Sequence, residues 1–225
     1  MKKLLLMGAI ALFGFSNAQI KKGAIYLSGQ INYSKNETSI TNFNSTEKDF
    51  KIIPKVGVFV AENLAVGAGF GSTNNKFDYN EIISSGSFAT FIDYKGKTNA
   101  VVIAPFVRKY WTLSDKLYFF GQLEVPMEFG KMNQDALVTG LDGMSGFIYQ
   151  QTYSDEQKYT SIGVNVKPGL DYFLNKNWSI EATIGEFGYK NKKYKDAEYR
   201  NEKNSNFGLN LSSVSFGVKY VFGGK

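Results

Sequence analysis

Apolar and polar residues alternate along several stretches of this chain. From Ile162 to Tyr172 every second residue is Ile, Val, Val, Pro, Leu and Tyr, and the residues between them are polar, charged or glycine. The stretches that begin at Phe119 and Ile25 alternate in the same way. Because successive side chains of a β-strand point to opposite faces, this period of two predicts strands with one apolar and one polar face.

The same pattern predicts eight strands, which cover residues 24–34, 50–60, 64–73, 99–112, 116–130, 159–173, 178–189 and 206–222. The last strand needs a β-bulge near Ser212–Ser213, because the apolar positions change phase there. Pro54, Pro105 and Pro168 open three similar Pro-x-[Val/Leu]-x-x-[Phe/Tyr] segments. Since proline has no N–H donor, we expect bulges or weakened pairing beside each of them.

The connections between these strands fall into two classes that alternate along the chain. Three are short turns, at 61–63, 113–115 and 174–177. Four are long and polar, at 35–49, 74–98, 131–158 and 190–205. Outer-membrane barrels have this asymmetry, with short periplasmic turns and longer extracellular loops. We therefore predict an all-β fold, an eight-stranded antiparallel up-and-down transmembrane β-barrel with short periplasmic turns and long extracellular loops.

The first 18 residues have the pattern of a secretory signal peptide. Two lysines follow Met1, an apolar run covers Leu4–Phe15, and small residues end the segment at Ala18. We expect residues 1–18 to be removed on export and residues 19–225 to form the barrel, located in the cell outer membrane of a Gram-negative envelope. Beyond the leader the longest apolar run is Ala100–Val107, far short of the ~20 residues that a membrane helix needs.

Alternation alone does not say which row faces outward. Many glycines interrupt the polar row, Gly57 and Gly169 among them, and they would make space for long side chains inside a narrow barrel. Trp111 and Trp178 flank short turns, as aromatic anchors at a membrane interface do. Both features favour an apolar row that faces lipid. The alternative is a soluble, exported, lipocalin-like barrel that has its apolar row inside and binds an apolar ligand.

Composition argues against several kinds of chemistry. The chain contains no His and no Cys, so Ser–His catalysis, thiol chemistry and disulfides are excluded and a zinc site is improbable on composition. The formal net charge of +6 is modest, and an exported chain rarely meets nucleic acid. We expect a monomeric, non-enzymatic protein without cofactor or metal.

Charged residues occur on the polar row of most of the predicted strands, where they would point into the barrel: Lys55, Arg108, Glu124, Glu128, Lys167, Asp171, Glu181 and Lys219. Buried charges persist when they are paired, so we expect a salt-bridged network that plugs the interior. Adjacent strands suggest pairing of Arg108 with Glu124, and of Lys167 with Asp171 and Glu181. The alternative is a gated ion path in which the pairs rearrange. Four large aromatic side chains near the short turns would point inward and form a floor that closes this end of the interior: Phe59, Tyr110, Phe120 and Phe173.

A basic segment falls in the last predicted loop, and its cations are Lys190, Lys192, Lys193, Lys195 and Arg200. On the cell surface these residues could attract the phosphates of an anionic glycolipid or an acidic surface partner. The simpler interpretation is a solvated loop.

Three segments resemble the small outer-membrane β-barrel proteins of the OmpA-like and OmpX-like, porin-family class. They are Pro54–Phe59, the stretch from Pro105 to Arg108, and the terminal strand from Phe216 to Phe222. The resemblance covers essentially the whole mature chain and implies a barrel in the outer membrane. It leaves the function open, since such barrels do many jobs. We expect a structural role or surface interaction through the loops, with a narrow porin-like channel for ions or small solutes as the alternative.

Overall fold

The computed structural model of the chain describes residues 20–195, 201–206 and 214–223. The predicted signal segment 1–18, Arg200 and the bulge expected near Ser212–Ser213 lie outside these residues. Within the described part, no helix is long and apolar enough to cross a membrane. The described residues instead form eleven β-strands: β1 Ile25–Ile40, β2 Phe43–Ala61, β3 Leu64–Ser85, β4 Phe88–Thr112, β5 Leu117–Glu124, β6 Met127–Asp142, β7 Ile148–Phe173, β8 Trp178–Ile184, β9 Phe187–Tyr194, β10 Asn201–Asn206 and β11 Val214–Phe222.

The strands form one antiparallel sheet that closes on itself. β1 pairs with β2 on one side and with β11 on the other, where Ile25–Gln30 lies against Gly217–Phe222. β11 in turn pairs with β8, and β8 pairs with β7. Along these residues the sheet has no free edge, which lipid would leave without hydrogen-bond partners. The predicted antiparallel, all-β, ring-closed architecture is therefore confirmed.

Register partners on successive strands around the barrel lie progressively farther from the short turns. Followed from Tyr26 through β2, β3, β4, β5 and β7, the register leads to Gly188 on β9. Followed from Ser28 in the other direction, through β11, it leads to Ser179 on β8. A row that runs from β1 toward β9 therefore rises away from the short turns. This stagger means that the strands tilt relative to the barrel axis, as closing a sheet requires.

The count of eight uninterrupted strands is not confirmed, because two of the predicted strands are split. The predicted strand 116–130 divides into β5 and β6 at Val125–Pro126, opposite Ala104 and Pro105 of β4. The predicted strand 178–189 divides into β8 and β9 at Gly185–Glu186, opposite Pro168 of β7. Of the predicted strand 206–222, the structure describes β11 and Asn206, the last residue of β10, and residues 207–213 lie outside the described chain. The rest of β10 falls in the segment 190–205, which was predicted to be a loop.

Each interruption lies beside one of the three repeated prolines. On β2, Ile53 and Pro54 have no register partner on β3, although the pairing on both sides of them keeps the same register. Beside Pro168, the four residues of β7 from Val166 to Gly169 lie opposite the five residues from Thr183 to Phe187, which is a β-bulge. Gly185 in this bulge has φ 76°, a value that favours glycine. The expected weakening beside Pro54, Pro105 and Pro168 is confirmed.

Three of the four long polar segments are paired strands for most of their length, and the described part of the fourth pairs as β9 and β10, so the expectation of loops was wrong there. Strands β1 and β2, β3 and β4, and β6 and β7 continue through them as paired hairpins that turn only at 41–42, 86–87 and 143–147. Aromatic residues in these segments pack across the strands. The rings of the register partners Tyr79 and Tyr94 stack with their centroids 4.9 Å apart, and Phe77 lies beside them. Strand pairing provides hydrogen-bond partners for the backbone N–H and C=O groups of these segments. In a long loop these groups would bind water instead.

Glycines on the inward row face large side chains on the next strand. A Cβ built on Gly57 would lie 2.5 Å from the ring of Tyr26, which is its register partner on β1. Gly169 and Phe120, and Gly67 and Phe106, form pairs of the same kind. Each glycine therefore leaves the space that an inward aromatic ring occupies.

Gly57→Ala should destabilise the barrel, because the new methyl group would displace the fully buried Tyr26 ring. We expect the free energy of unfolding, measured in urea with lipid vesicles, to fall by about 1–3 kcal/mol. Gly29→Ala is the matched control on β1. Its Cβ would meet no atom nearer than the Pro54 Cα at 3.8 Å, so its stability should not fall. If the free energy of unfolding fell equally in both variants, the space beside Gly57 would not be needed for the Tyr26 ring.

Candidate functional site: the charged interior of the barrel

The apolar row of the strands forms the outer surface of the barrel. Val56, Leu123 and Val164 are 53%, 48% and 49% exposed and point away from the interior. Aromatic pairs lie near the short turns at the lower rim of this band, Trp111 with Phe119 and Trp178 with Tyr220. A lipocalin-like barrel would need its apolar row inside, so this arrangement does not fit that alternative.

The structure brings all eight of the predicted inward charges into the interior, where each is at most 9% exposed: Lys55, Arg108, Glu124, Glu128, Lys167, Asp171, Glu181 and Lys219. They lie in two groups that differ in depth. The lower group lies close to the short turns and the upper group closer to the hairpins. Every one of these side chains takes part in an ion pair.

Arg108 is the centre of the lower group. Its Nη1 atom lies 2.5 Å from Oε1 of Glu181, and the same nitrogen donates a hydrogen bond of 3.0 Å to the Tyr110 hydroxyl. Its Nε atom donates to Oε1 of Gln122 at 2.8 Å. The guanidinium carbon also lies 4.3 Å from the centre of the Phe120 ring, a cation–π contact. The guanidinium, which is always charged, is thus held by three polar partners and by aromatic rings, of which Phe120 is the nearest.

Lys219 completes the lower group. Its ammonium pairs with Asp171 and lies 3.7 Å from Oε1 of Glu181. The rings of Tyr110 and Phe173 lie 4.8 Å from the same nitrogen. Two cations and two carboxylates therefore balance one another at full burial, which is the condition under which buried charges are tolerated.

Glu124 is the centre of the upper group. Its two carboxylate oxygens accept from Lys55 at 2.8 Å and from Lys167 at 2.9 Å. Gln122 donates a hydrogen bond of 2.6 Å to the same carboxylate and so joins the two groups. Lys167 also reaches Glu186 at 3.0 Å. Closer to the hairpins, Glu128 pairs with Lys190 at 2.7 Å.

The partners differ from those expected from neighbouring strands. Arg108 was expected to pair with Glu124 but pairs with Glu181, and Lys167 pairs with Glu124 and Glu186, not with Asp171 or Glu181. Arg108 on β4 reaches across the narrow interior to Glu181 on β8, a strand that does not pair with β4. Lys167 on β7 instead meets Glu124 on the adjacent strand β5. Sequence reasoning also missed Gln122 and Glu186. The alternation already placed Gln122 inward, between Phe120 and Glu124, but only charged residues were selected there.

An aromatic floor closes the interior below the lower group. The four expected aromatics are fully or almost fully buried there, and they pack with further residues in one cluster: Ile20, Tyr26, Phe59, Ala65, Phe106, Tyr110, Tyr118, Phe120, Phe173 and Val221. Ile20, the first described residue, enters this cluster beside the short turns, and its backbone N–H donates to Asn63 Oδ1 at 3.0 Å. The floor and the lower charges together fill this half of the barrel.

Above the upper group the interior opens into a polar cavity of about 750 Å³. Lys55, Glu124 and Lys167 lie at its deep end, and Asn32, Asp49 and Asn75 line it near the hairpins. Lys51 also lines it, and Gln30 and Thr183 form part of its wall. The cavity offers charged and amide groups to a small polar solute and ends at the Glu124 network.

The basic segment does not form one surface loop, so that expectation was wrong. Lys190 and Lys192 on β9 point inward and line the cavity, where Lys192 lies 4.2 Å from the Tyr159 ring. Lys193 on the same strand points outward, and so does Lys195 just beyond it; both are exposed. The alternation of a strand separates the lysines onto two faces, and Arg200 lies outside the described residues.

The tip of the β6–β7 hairpin is held by Asp142. Its carboxylate accepts a hydrogen bond of 2.6 Å from the Ser145 hydroxyl and one of 2.9 Å from the Met144 N–H. Both bonds stabilise the charged carboxylate and hold the pKa of Asp142 below its ordinary value. Within the described residues, no group of three or more acidic side chains is placed to hold a metal ion.

No protein-family model matches the chain, and no curated protein matches its sequence. The chain is similar to several solved outer-membrane β-barrels. The N-terminal β-barrel domain of OprF from Pseudomonas aeruginosa is 9% identical with a TM-score of 0.33, over 90% of this chain and 100% of that one. Ail of Yersinia pestis, in complex with the heparin analogue sucrose octasulfate, is 15% identical with a TM-score of 0.32, over 89% and 99%. The translocator domain of the autotransporter NalP from Neisseria meningitidis is 9% identical with a TM-score of 0.25, over 97% and 94%.

Proposed function

We propose that this chain is a non-enzymatic outer-membrane β-barrel with a plugged interior, which acts structurally or in surface interaction through its hairpins. One observation carries the proposal. A closed antiparallel sheet presents its apolar row outward and buries its charged row inside, as in Val164 and its buried neighbour Asn165. This is the reverse of a soluble protein and suits a barrel surrounded by lipid.

We infer that the barrel crosses the membrane eight times. β5 and β6 share the same two neighbours, β4 and β7, with unchanged register across their break, so together they make one pass. β8 and β9 follow each other along β7 in the same way, apart from the bulge. β10 and β11 pair with β9 and β8 and would make the last pass. Both ends of the barrel chain then lie on the periplasmic side.

The hairpin tips support a role in surface interaction. Met144, Phe147 and Ile148 at the β6–β7 tip are 85%, 65% and 60% exposed. Phe88 of the neighbouring β3–β4 hairpin is 59% exposed and is the register partner of Asp142 beside them. Exposed apolar patches of this kind on protein surfaces mark interaction sites. These tips would suit a partner protein or surface that has an apolar contact region.

The alternative function is a narrow channel, and the polar cavity of about 750 Å³ is the observation that favours it. Against it stand the fully buried charge pairs and the aromatic floor below the cavity. Eight strands enclose only enough room for side chains, so an open aqueous path would require both layers to move.

Single cysteines can test the location and orientation, because the natural chain has none. Ser87→Cys lies at the tip of the β3–β4 hairpin and Lys116→Cys in a short turn, and both positions are exposed. We expect a membrane-impermeant maleimide to label Ser87→Cys on intact cells, and to label Lys116→Cys only after the outer membrane is permeabilised.

The reverse pattern would contradict the orientation. Recovery of both variants in the soluble periplasmic fraction would contradict the membrane assignment itself. Lys22→Cys, at the exposed chain end beside the short turns, is a second control that should behave like Lys116→Cys.

A further inference from the structure

Six exposed lysines lie on the outer face just beyond the apolar band, in two sets of register partners, and we call them the lysine ladder: Lys35, Lys48, Lys76, Lys97, Lys131 and Lys158. The first four are successive register partners across β1, β2, β3 and β4. Lys131 on β6 and Lys158 on β7 are register partners of each other. Large apolar side chains lie two residues closer to the short turns on several of these strands, Tyr33, Phe50 and Phe129 among them.

Of the six ladder lysines, two are balanced by an ion pair within the described residues. Like charges directly opposite each other on adjacent strands destabilise a sheet. Lys35 pairs with Glu37 at 2.6 Å and Lys131 with Glu156 at 2.5 Å. The other four form no ion pair with any carboxylate in the described part of the chain.

A lysine one row closer to the hairpin tips shows the usual arrangement. Lys95 on β4 has Asp78 and Asp135 as its register partners on the two sides. Lysines of this sheet therefore can have acidic register partners, and the lysines of the ladder lie opposite other lysines instead. The excess positive charge of the ladder is left for an anion from outside the chain.

Two lysines of the ladder, Lys131 and Lys158, line a groove of about 480 Å³ on the outer face of β3, β4, β6 and β7. Val101 and Phe129 form its wall on the side of the apolar band. Lys131, Lys158 and Lys195 form its wall on the side of the hairpins. One end of the groove suits a hydrocarbon chain and the other a phosphate, so its occupant should be amphipathic.

The stagger of the barrel keeps these lysines near one depth of the bilayer. Rows of register partners rise from β1 toward β9, so a ladder that stayed in one row would leave the interface. The partner of Lys97 on β6 is Asn133, whereas Lys131 lies two residues closer to the short turns. This step down on β6 and β7 offsets the rise.

We propose that the lysine ladder and its groove bind the phosphorylated headgroup of an anionic glycolipid in the outer leaflet. The phosphates would lie against the ammonium groups, and an acyl chain would lie along Val101 and Phe129. The inference rests on the proposed function, because it requires the hairpin end of the barrel to meet the outer leaflet. It moves the glycolipid contact from the predicted basic loop to the barrel wall.

The test compares lipid retained by two variants with the same change in net charge. The ladder variant carries Lys→Gln at positions 48, 76, 97, 131 and 158. The control variant carries Lys→Gln at five exposed lysines near the short turns: Lys21, Lys22, Lys109, Lys116 and Lys176. Each purified barrel in detergent micelles is titrated with bis-phosphorylated lipid A and with dephosphorylated lipid A, and bound lipid is counted by native mass spectrometry.

We expect wild type and control to retain phosphorylated lipid A. The affinity of the ladder variant for this lipid should be lower by a factor of about ten or more. Dephosphorylated lipid A should bind weakly to all three, and added salt should weaken the phosphate-dependent part. Equal loss in ladder and control variants would overturn the proposal, since only net charge would then matter. Equal binding by wild type and ladder variant would also overturn it. Heat-modifiable migration of each variant on gels reports folding separately, so failure of the barrel assignment is distinguishable from failure of the lipid site.

Discussion

Replacing Val164 with arginine is expected to reduce strongly the yield of barrel that folds into lipid vesicles. Val164 is 49% exposed on the apolar outer row of β7, so the substitution places a charge against the hydrocarbon of the bilayer. Such a charge near the bilayer midplane costs about 2–4 kcal/mol in a barrel of this kind. Leu123→Arg on β5 should have an effect of similar size, because Leu123 lies on the same face at 48% exposure.

The matched control is a neighbouring residue with the opposite orientation. Asn165→Arg points inward, and Thr183→Arg points into the polar cavity. Both should fold in clearly higher yield than Val164→Arg, because the interior offers water and carboxylates such as Glu186. Refolding yield from urea into phosphatidylcholine vesicles measures the difference. If all four variants refold alike, the apolar row does not face lipid.

Glu181→Ala should be the most destabilising change in the interior. It would leave the Arg108 guanidinium buried at 1% exposure without the carboxylate that lies 2.5 Å from it. Removing one partner of a buried ion pair costs about 3–5 kcal/mol, far more than the pair contributes as a whole. Equilibrium unfolding in lipid vesicles should show this loss, and planar-bilayer recordings should show no large conductance for wild type or variant, since the aromatic floor remains.

Glu156→Ala removes a carboxylate at a comparable distance from its cation, 2.5 Å from Lys131, but in an exposed pair. Its loss should cost about 0–1 kcal/mol, because solvent screens such pairs. The double substitution of Arg108→Met with Glu181→Leu should recover much of the stability that Glu181→Ala loses. A stable Glu181→Ala barrel, or one that conducts freely, would contradict the interior plug and favour the channel.

Much of the architecture follows from local sequence pattern. The period of two placed Val164 outward and Lys167 inward, because the direction of a strand side chain depends only on its position in the strand. The repeated prolines gave the places where pairing weakens, since proline lacks a donor in any fold. The hairpins were misjudged because their polar composition resembles loops. Cross-strand contacts such as Tyr79 with Tyr94 join distant parts of the sequence, and alternation does not reveal them.

By itself, the sequence determined the faces of the strands, the inward position of the eight charges and the weak points beside Pro54, Pro105 and Pro168. Only the tertiary structure decided that Arg108 meets Glu181, that Lys190 lies in the cavity, and that the lysine ladder forms a row. The physical reason is the difference between direction and register. Direction is local and repeats every two residues, whereas partners across the interior or along the sheet depend on how far each strand is staggered when the barrel closes.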